Sequence, residues 1–518
     1  MTFYIAFVII IFVYKDILRL KFIRSITKVV IMQENLYKEV DIRANKIKEL
    51  KDMGVNPYAE KYDATHTITE VRKQPEGTKV SVAGRITFRR TFGKFMFIQI
   101  SDIFDKVQVS LSVNEIPEDK FKFFKDYVDI GDYVGITGEI YTTQTGELTV
   151  KTYEYKLLSK AINPLPEKYH GLTDIEARYR QRYLDLISNE ESRKVLLGRS
   201  KLVSFIRKHL EENGFIEVET PILQGAVCGA SAKPFLTHHN ALDKECNLRI
   251  APEVYLKQVV AGGFPRVFEV AKCFRNEGMD ASHLQEFTQV EWYASYWNFE
   301  DNIRFFSDFI RKIVKHMLGG QTITVNGTDF DISKDFNRVN YAEKINEVLG
   351  FDILPLQENL EELKKSVIDT GLFDSDEIAY LKSPGAVIDY VYKRKVRPDI
   401  VNPTILFNYP ACLVPLARRS DKDNRIIEMF QFLINGEELC KAYSELVDPE
   451  IQRKTLEDQA KAKADGDDEA MDVDEDFLLA MEHGMPPMSG LGMGIDRLLV
   501  MLYAQDTIRD VVLFPIMK

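Results

Sequence analysis

Three stretches of this chain gather residue types that can do chemistry. The richest runs from Arg266 to Tyr293. Arg266-Val-Phe-Glu-Val-Ala-Lys-Cys-Phe-Arg275 alternates like a strand, the residues to Glu286 read as a loop, and Phe287-Thr-Gln-Val-Glu-Trp-Tyr293 reads as a second strand. Side chains two apart on a strand share a face. Phe287, Glu291 and Tyr293 therefore present an aromatic platform, a carboxylate and a phenol together. Arg275 stands at the loop mouth, where a guanidinium fork can grip a carboxylate or phosphate through paired hydrogen bonds. The loop adds Glu277 and His283. Taken alone, the pattern also fits a surface hairpin that buries an aromatic face.

The second stretch is Ser489-Gly-Leu-Gly-Met-Gly-Ile-Asp-Arg-Leu-Leu-Val-Met-Leu502. Glycines at 490, 492 and 494 let backbone approach closely, and the spacing predicts a glycine-rich loop followed by an apolar helix from Asp496. Arg497, in the first turn, can meet a polyphosphate. The G-x-G-x-G spacing is not the dinucleotide fingerprint, and no Gly-Lys-Ser/Thr of a Walker A loop is present. The third stretch, Gly214-Phe-Ile-Glu-Val-Glu-Thr-Pro-Ile-Leu223, reads as a tight helix-to-strand join, which is a packing element by itself.

The elements that must position these residues follow from periodicity. A charged surface helix is expected from Leu36 to Leu50, within an N-terminal helical segment at 32–70. From 71 to 160, short alternating runs separated by turns predict about five strands: Val80–Ile86, Phe95–Ile100, Val107–Leu111, Tyr133–Ile140 and Leu148–Val150. That is the signature of a small β-barrel of OB-fold type. Asn163-Pro164-Leu165-Pro166 opens a linker at 161–190. Ser188 to Glu191 has the spacing of a capping box, with Val195, Leu202, Ile206 and Leu210 along one helical face. Residues 191–518 mix strands and helices, as an α+β domain with an insertion at about 300–400.

The bulk numbers restrict the partners. With 518 residues and a formal net charge of −11, the whole molecule repels phosphate, so a nucleic acid must be met by a local basic patch. Arg85, Arg89, Arg90 and Lys94 offer one in the barrel. The five cysteines, with no C-x-x-C pair, suggest neither a disulfide framework nor a zinc ribbon, and point to a reducing cytosol. Phe3 to Tyr14 is apolar but too short to span a bilayer comfortably, and it lacks a signal peptide's basic start. The basic residues that follow would suit an interfacial anchor. The expectation is that Met32 is the true start and that 1–31 is a mis-assigned extension. The acidic run from Asp465 to Asp476 reads as a solvated loop.

Together and in order, the three stretches resemble the signature motifs of class II aminoacyl-tRNA synthetases. Arg178-Tyr-Arg-Gln-Arg-Tyr-Leu-Asp-Leu186, Thr237-His-His-Asn-Ala-Leu242, Arg249-Ile-Ala-Pro-Glu-Val-Tyr-Leu256, Phe274-Arg-Asn-Glu-Gly278 and Ala442-Tyr-Ser-Glu-Leu446 are similar to the lysyl-tRNA synthetases within that class. The resemblance implies an OB-fold anticodon-binding barrel followed by a catalytic domain built on an antiparallel sheet flanked by helices. It implies activation of L-lysine by ATP with magnesium, then transfer from lysyl-adenylate to the 3′ end of tRNA(Lys). It implies a cytoplasmic homodimer with the segment around Pro221 at the interface. Carried over, Gly229 and Glu253 take the substrate α-ammonium, Glu291, Tyr293 and Glu445 its ε end, and Arg275 its carboxylate. Arg275 and Arg497 grip the triphosphate, Glu277 reads the adenine amino group, Phe287 stacks on the ring, His283 lies near the phosphates and Glu438 holds magnesium. Arg90, Phe97, Gln108 and Glu147 match positions that contact anticodon bases.

Three positions depart from the resemblance. Gln431 stands where a second metal-binding carboxylate is usual, Lys441 where asparagine is usual, and Leu284-Gln285 where Asn-Pro is usual. Strict alternation would put Glu438 on the face opposite Lys441, Tyr443 and Glu445, so a bulge is expected between 438 and 443. Lys441 leans toward an acidic substrate, as in the related aspartyl- and asparaginyl-tRNA synthetases, whereas Glu253, Glu291 and Glu445 lean toward a cationic one. A lysine ligase acting on protein would lack the barrel. A non-catalytic RNA-binding paralogue is expected to lose Arg275 or Arg497, and both are present.

Overall fold

The computed structural model describes residues 36–166, 172, 174–464 and 470–517, so the expected extension at 1–31 and the Met32 start lie outside the described residues. The chain divides into two compact units, 1–189 and 190–518. Among the described residues no helix is long and apolar enough to cross a membrane.

In the first unit, helix α1 (36–52) buries Ile47 and Leu50. The short α2 (Ile68–Val71) begins at a capping box between Thr67 and Glu70. Five strands, β1 (Lys79–Phe92), β2 (Phe95–Ser101), β3 (Lys106–Ser112), β4 (Tyr133–Thr142) and β5 (Leu148–Ser159), close into a barrel in the order β1-β2-β3-β5-β4. Alternation decides its inside: β2 buries Met96, Ile98 and Ile100 and turns Phe95, Phe97 and Gln99 outward. Helix α3 (Glu118–Tyr127) adds Phe121 and Phe124 to the barrel core. The stretch read as linker is not uniformly extended. It holds α4 (Ile175–Arg180) and α5 (Arg182–Ser188), in which buried Arg182 and Asp185 pair at 2.7 Å.

The second unit opens with α6 (Glu190–Glu212), which buries Val195, Leu202, Ile206 and Leu210 as its periodicity predicts. Ser188 ends α5, where its hydroxyl donates to the Leu184 carbonyl at 2.8 Å. Gly214, at φ +78°, turns the chain out of the helix as expected.

An eight-stranded sheet follows, made of β6 (Ile216–Glu217), β10 (Arg266–Phe274), β11 (Glu286–Ser295), β14 (Asn337–Asn340), β15 (Thr404–Pro410), β16 (Ile426–Ile434), β17 (Glu437–Ser444) and β18 (Met488–Gly494). Its order is β14-β15-β16-β17-β18-β11-β10-β6, antiparallel through the centre and parallel at both edges. Strands β7 (Leu223–Gln224), β8 (Phe235–His239) and β9 (Lys244–Leu248) form a small sheet, and β12 (Thr322–Val325) and β13 (Thr328–Asp331) a hairpin. The glycine segment expected as a loop is β18 itself, paired on both sides in mid-sheet. Its glycines leave room for what projects from its neighbours.

Two apolar clusters cover the two faces of the sheet. On one, α6, α8 (Phe299–Leu318) and α15 (Ile495–Leu502) pack on Val290, Trp292, Phe430, Ala442 and Leu491. On the other, α7 (Glu253–Ala261), α9 (Tyr341–Leu349), α10 (Leu360–Asp369), α11 (Ser375–Ala379), α12 (Pro384–Val391) and α14 (Glu475–Glu482) surround Val267, Tyr293, Leu406, Met429 and Tyr443. The 300–400 stretch therefore contributes to both layers and, through β14, to the sheet. Helix α13 (Pro449–Ala464) precedes the acidic run, of which 465–469 lie outside the described residues. The remainder is more than solvated loop. Asp472 accepts from the Val227 amide at 3.0 Å, and Asp474 caps α14.

Candidate active site

The second face of the sheet opens into a cavity of about 570 Å³. Its wall includes Gly229, Glu253, Arg275, Glu277, His283, Phe287, Glu291, Tyr293, Glu438, Glu445 and Arg497, every site residue that the sequence placed in the catalytic unit. Strand β11 supplies Phe287, Glu291 and Tyr293 from one face, as period two requires.

One end of the cavity is acidic. Glu253, first residue of α7, receives the Tyr443 hydroxyl at 2.6 Å, and Glu291 receives the Tyr293 hydroxyl at 2.6 Å and the Gln289 amide at 2.8 Å. Glu445 accepts from the Gly490 amide at 3.1 Å. Sequence reasoning missed the residue that binds these together. Lys257, one turn after Glu253 and without solvent exposure, lies 2.6 Å from Glu253 and 2.5 Å from Glu445. The i, i+4 spacing of Glu253 and Lys257 on an otherwise apolar helix was the available signal. Burial, with the charge of Glu253 beside it, pushes the Glu291 carboxyl up to about 8. Burial also pushes Glu445 up to about 8, against the pull of Lys257. Although burial opposes it, the charges of Glu253 and Glu445 hold the Lys257 ammonium above its ordinary value. Once ionised, the three carboxylates with one ammonium leave room for two further positive charges.

Backbone shape makes that end possible. Gly229 sits at φ +99° with a hypothetical Cβ 3.2 Å from that of Glu253, and a Cβ on Gly490 would stand 2.3 Å from the Tyr293 ring and 2.7 Å from Glu445. No side chain fits there.

The other end is cationic. The Arg275 guanidinium lies 5.1 Å from the centre of the Phe287 ring, and its Nε is a buried donor without a partner among the described residues. Arg497 donates to His283 Nε2 at 3.1 Å, so His283 keeps its proton on Nδ1, which faces Asp280 at 2.9 Å. Burial opposes it, but the Ser282 amide and the His283 ring hold Asp280 down to about 2. Asp280 thus fixes the ring that positions Arg497. Asp496 anchors the same turn by accepting from the Thr288 amide at 2.7 Å and pairing with Arg199.

The expected bulge exists. Pairing between β16 and β17 shifts between Phe432↔Cys440 and Leu433↔Glu438, which leaves Leu439 unpaired. The bulge turns Glu438 into the cavity that Lys441, Tyr443 and Glu445 also line. Lys441 stands opposite Gln431, whose carbonyl accepts from the Tyr409 hydroxyl at 2.5 Å. Burial lowers the Lys441 pKa, with Glu438 the strongest charge opposing that shift. From the 300–400 stretch, Asp389 and Lys393 reach the rim as a pair at 2.7 Å, a contribution that nothing in their spacing announced.

The barrel carries its own cluster. Arg90 is opposite Phe97, Phe97 opposite Ser110, and Gln108 opposite Thr149, which sets Arg90, Phe97, Gln108 and the strand-leading Glu147 on one outer face. The basic patch is narrower than composition suggested. Arg89 caps the end of α3 through the carbonyls of Val128 and Lys125, Arg85 bonds Gly131 and Tyr133, and Lys94 pairs with Glu118. Arg90 lies 4.7 Å from the centre of the Phe92 ring, and Arg85 lies 4.3 Å from that of Tyr133.

With fold and cavity described, comparison with known proteins is informative. Residues 174–518 match the family model of tRNA synthetases class II (D, K and N), and residues 80–158 that of the OB-fold nucleic acid binding domain. The chain belongs to the class II tRNA synthetases of this D, K and N group. Its curated relatives include a lysine--tRNA ligase of Aquifex aeolicus, 45% identical over 86% of this chain and 74% of the relative. Others are the lysine--tRNA ligases of Carboxydothermus hydrogenoformans, 40% identical over 94% of this chain and 99% of the relative, and of Enterococcus faecalis, 39% identical over 94% and 98%.

Proposed function

We propose that this protein is a lysine--tRNA ligase, which activates L-lysine with ATP and transfers it to the 3′ end of tRNA(Lys). The observation that carries the substrate is the charge balance of the acidic end. Glu253, Glu291 and Glu445 outnumber Lys257 by two, and free lysine has two ammonium groups. Desolvated cations require carboxylate partners. Glu253 and the Gly229 carbonyl take the α-ammonium, and Glu291, Tyr293 and Glu445 the ε-ammonium.

At the cationic end, Arg275 holds the substrate carboxylate and the α-phosphate, and Arg497, steadied by His283, takes the γ-phosphate. Phe287 stacks on adenine and Glu277 receives its amino group. The lysine carboxylate attacks the α-phosphorus in line, the bond to pyrophosphate breaks, and the adenylate remains. No protein nucleophile is needed, because catalysis is positioning plus stabilisation of developing charge. Magnesium accompanies ATP and neutralises phosphate charge when bound. Glu438 is the cavity carboxylate suited to anchor it, whereas Gln431 is neutral and already bonded to Tyr409. Arg90, Phe97, Gln108 and Glu147 form the anticodon face, where an exposed aromatic stacks on bases and polar groups read their edges. The protein acts in the cytoplasm as a homodimer, with the segment around Pro221 at the interface.

The aspartyl and asparaginyl reading is favoured by one observation, that Lys441 lines the cavity. Lys441 stands opposite Gln431 and Gly492, and Glu438 is the strongest negative charge acting on it, so it does not leave the cavity predominantly cationic. Amino-acid-dependent ATP–pyrophosphate exchange with all twenty amino acids decides between them. Exchange with lysine is expected, and exchange with aspartate instead overturns the assignment.

A further inference from the structure

The Lys441 ammonium faces the cavity and has neither a hydrogen bond nor an ion pair among the described residues. Its neighbours across the ladder are Gln431 on β16 and Gly492 on β18. Gly492 has no side chain to hold it. Gln431 is neutral, and its carbonyl is taken by Tyr409. Arg275 and Arg497 line the same space, and Arg275 Nε also lacks a partner. An ammonium turned toward a partly dry cavity with no directly bonded partner is costly, even with the charge of Glu438 acting on it. Lys441, Arg275 and Arg497 about one space suit an anion of several charges, more than the single carboxylate of an amino acid.

Two of the departures in sequence, Gln431 and Lys441, are thus one feature in the fold, a cross-strand pair. A carboxylate that holds a divalent cation contributes one net positive charge to its surroundings. A glutamine beside an ammonium contributes the same. We propose that the Lys441 ammonium binds the polyphosphate of ATP directly and takes the place of one divalent cation, with Gln431 as its neutral partner. The proposal rests on the ATP reading given above.

The test counts metal ions. The full-length protein is saturated with lysine and a non-hydrolysable ATP analogue, and bound Mn²⁺ is measured by electron paramagnetic resonance. The Q431E/K441N variant is expected to bind one more Mn²⁺ per protomer than the wild type. K441N alone should weaken binding of the analogue at low Mn²⁺ on the order of tenfold, the loss of one charge-assisted contact, and K441R should restore it. All three variants are to be compared by circular dichroism, so that misfolding is recognised. An unchanged Mn²⁺ count in the folded double variant overturns the proposal. So does K441N raising the KM for lysine while analogue binding stays constant. Wild-type protein that binds no analogue would instead remove the ATP reading itself.

Discussion

Lys257 Nζ lies 2.5 Å from Glu445 Oε2, and both side chains are closed to solvent. Each charge tolerates burial only because the other is present. Replacement of Lys257 by Met keeps the bulk and removes the ammonium, leaving carboxylates uncompensated in a low-dielectric site. Breaking a buried pair from one side costs about 3–5 kcal/mol. Urea melts of K257M are expected to show that loss, and added lysine should recover part of it. A variant as stable as wild type above pH 8, where Glu291 and Glu445 are ionised, would show that the ammonium does not compensate these carboxylates.

The raised carboxyls of Glu291 and Glu445 give a pH dependence of definite sign. Their ordinary value is 4.5 and their value in the fold about 8, so the ligand-free protein holds these protons more tightly than the unfolded chain does. This part of stability is present at low pH and declines as pH rises from 4.5 through about 8. Lysine binds the ionised form, so its binding releases protons and its affinity should rise from pH 6 to 8. Isothermal titration in buffers of different ionisation enthalpy measures the release. Affinity that falls over that range would contradict the pocket's electrostatics.

Gly490 allows Tyr293 and Glu445 to meet over its backbone. In G490A the new methyl collides with both, at 2.3 and 2.7 Å. Displacing a positioning group by about an ångström costs on the order of a hundredfold in rate. Lysine-dependent exchange should drop by at least that much, while binding of ATP alone is retained.

Asp280 and His283 act through Arg497. H283A should raise the KM for ATP on the order of tenfold by loosening one charged contact, with the KM for lysine unchanged. Equal shifts in both constants would place His283 elsewhere in the reaction.

The barrel face separates from the chemistry. F97A removes a stacking surface worth about 1–3 kcal/mol per base. Aminoacylation of tRNA should weaken accordingly, with pyrophosphate exchange at the wild-type rate.

Local rules reached far into this fold. Period two identified the barrel strands and the shared face of Phe287, Glu291 and Tyr293, and a conflict of alternation foretold the bulge at Leu439. What escaped depended on contacts distant in sequence. The glycines at 490–494 looked like a loop because their place between β17 and β11 is set by partners about 50 and 200 residues upstream. Lys257 escaped notice because one of its two carboxylate partners, Glu445, lies far along the chain. The basic patch of the barrel shrank because backbone carbonyls at the end of α3 took Arg89.

Strand β18 joins two partial sheets, β14-β15-β16-β17 on one side and β11-β10-β6 on the other. Until residues 488–494 leave the ribosome, those halves expose unpaired edges and share no hydrogen bonds across the gap. The acidic pocket draws Glu291 from one half and Glu445 from the end of the other, so it is assembled only once β18 lies between them. Competence is acquired abruptly, when β18 enters the sheet.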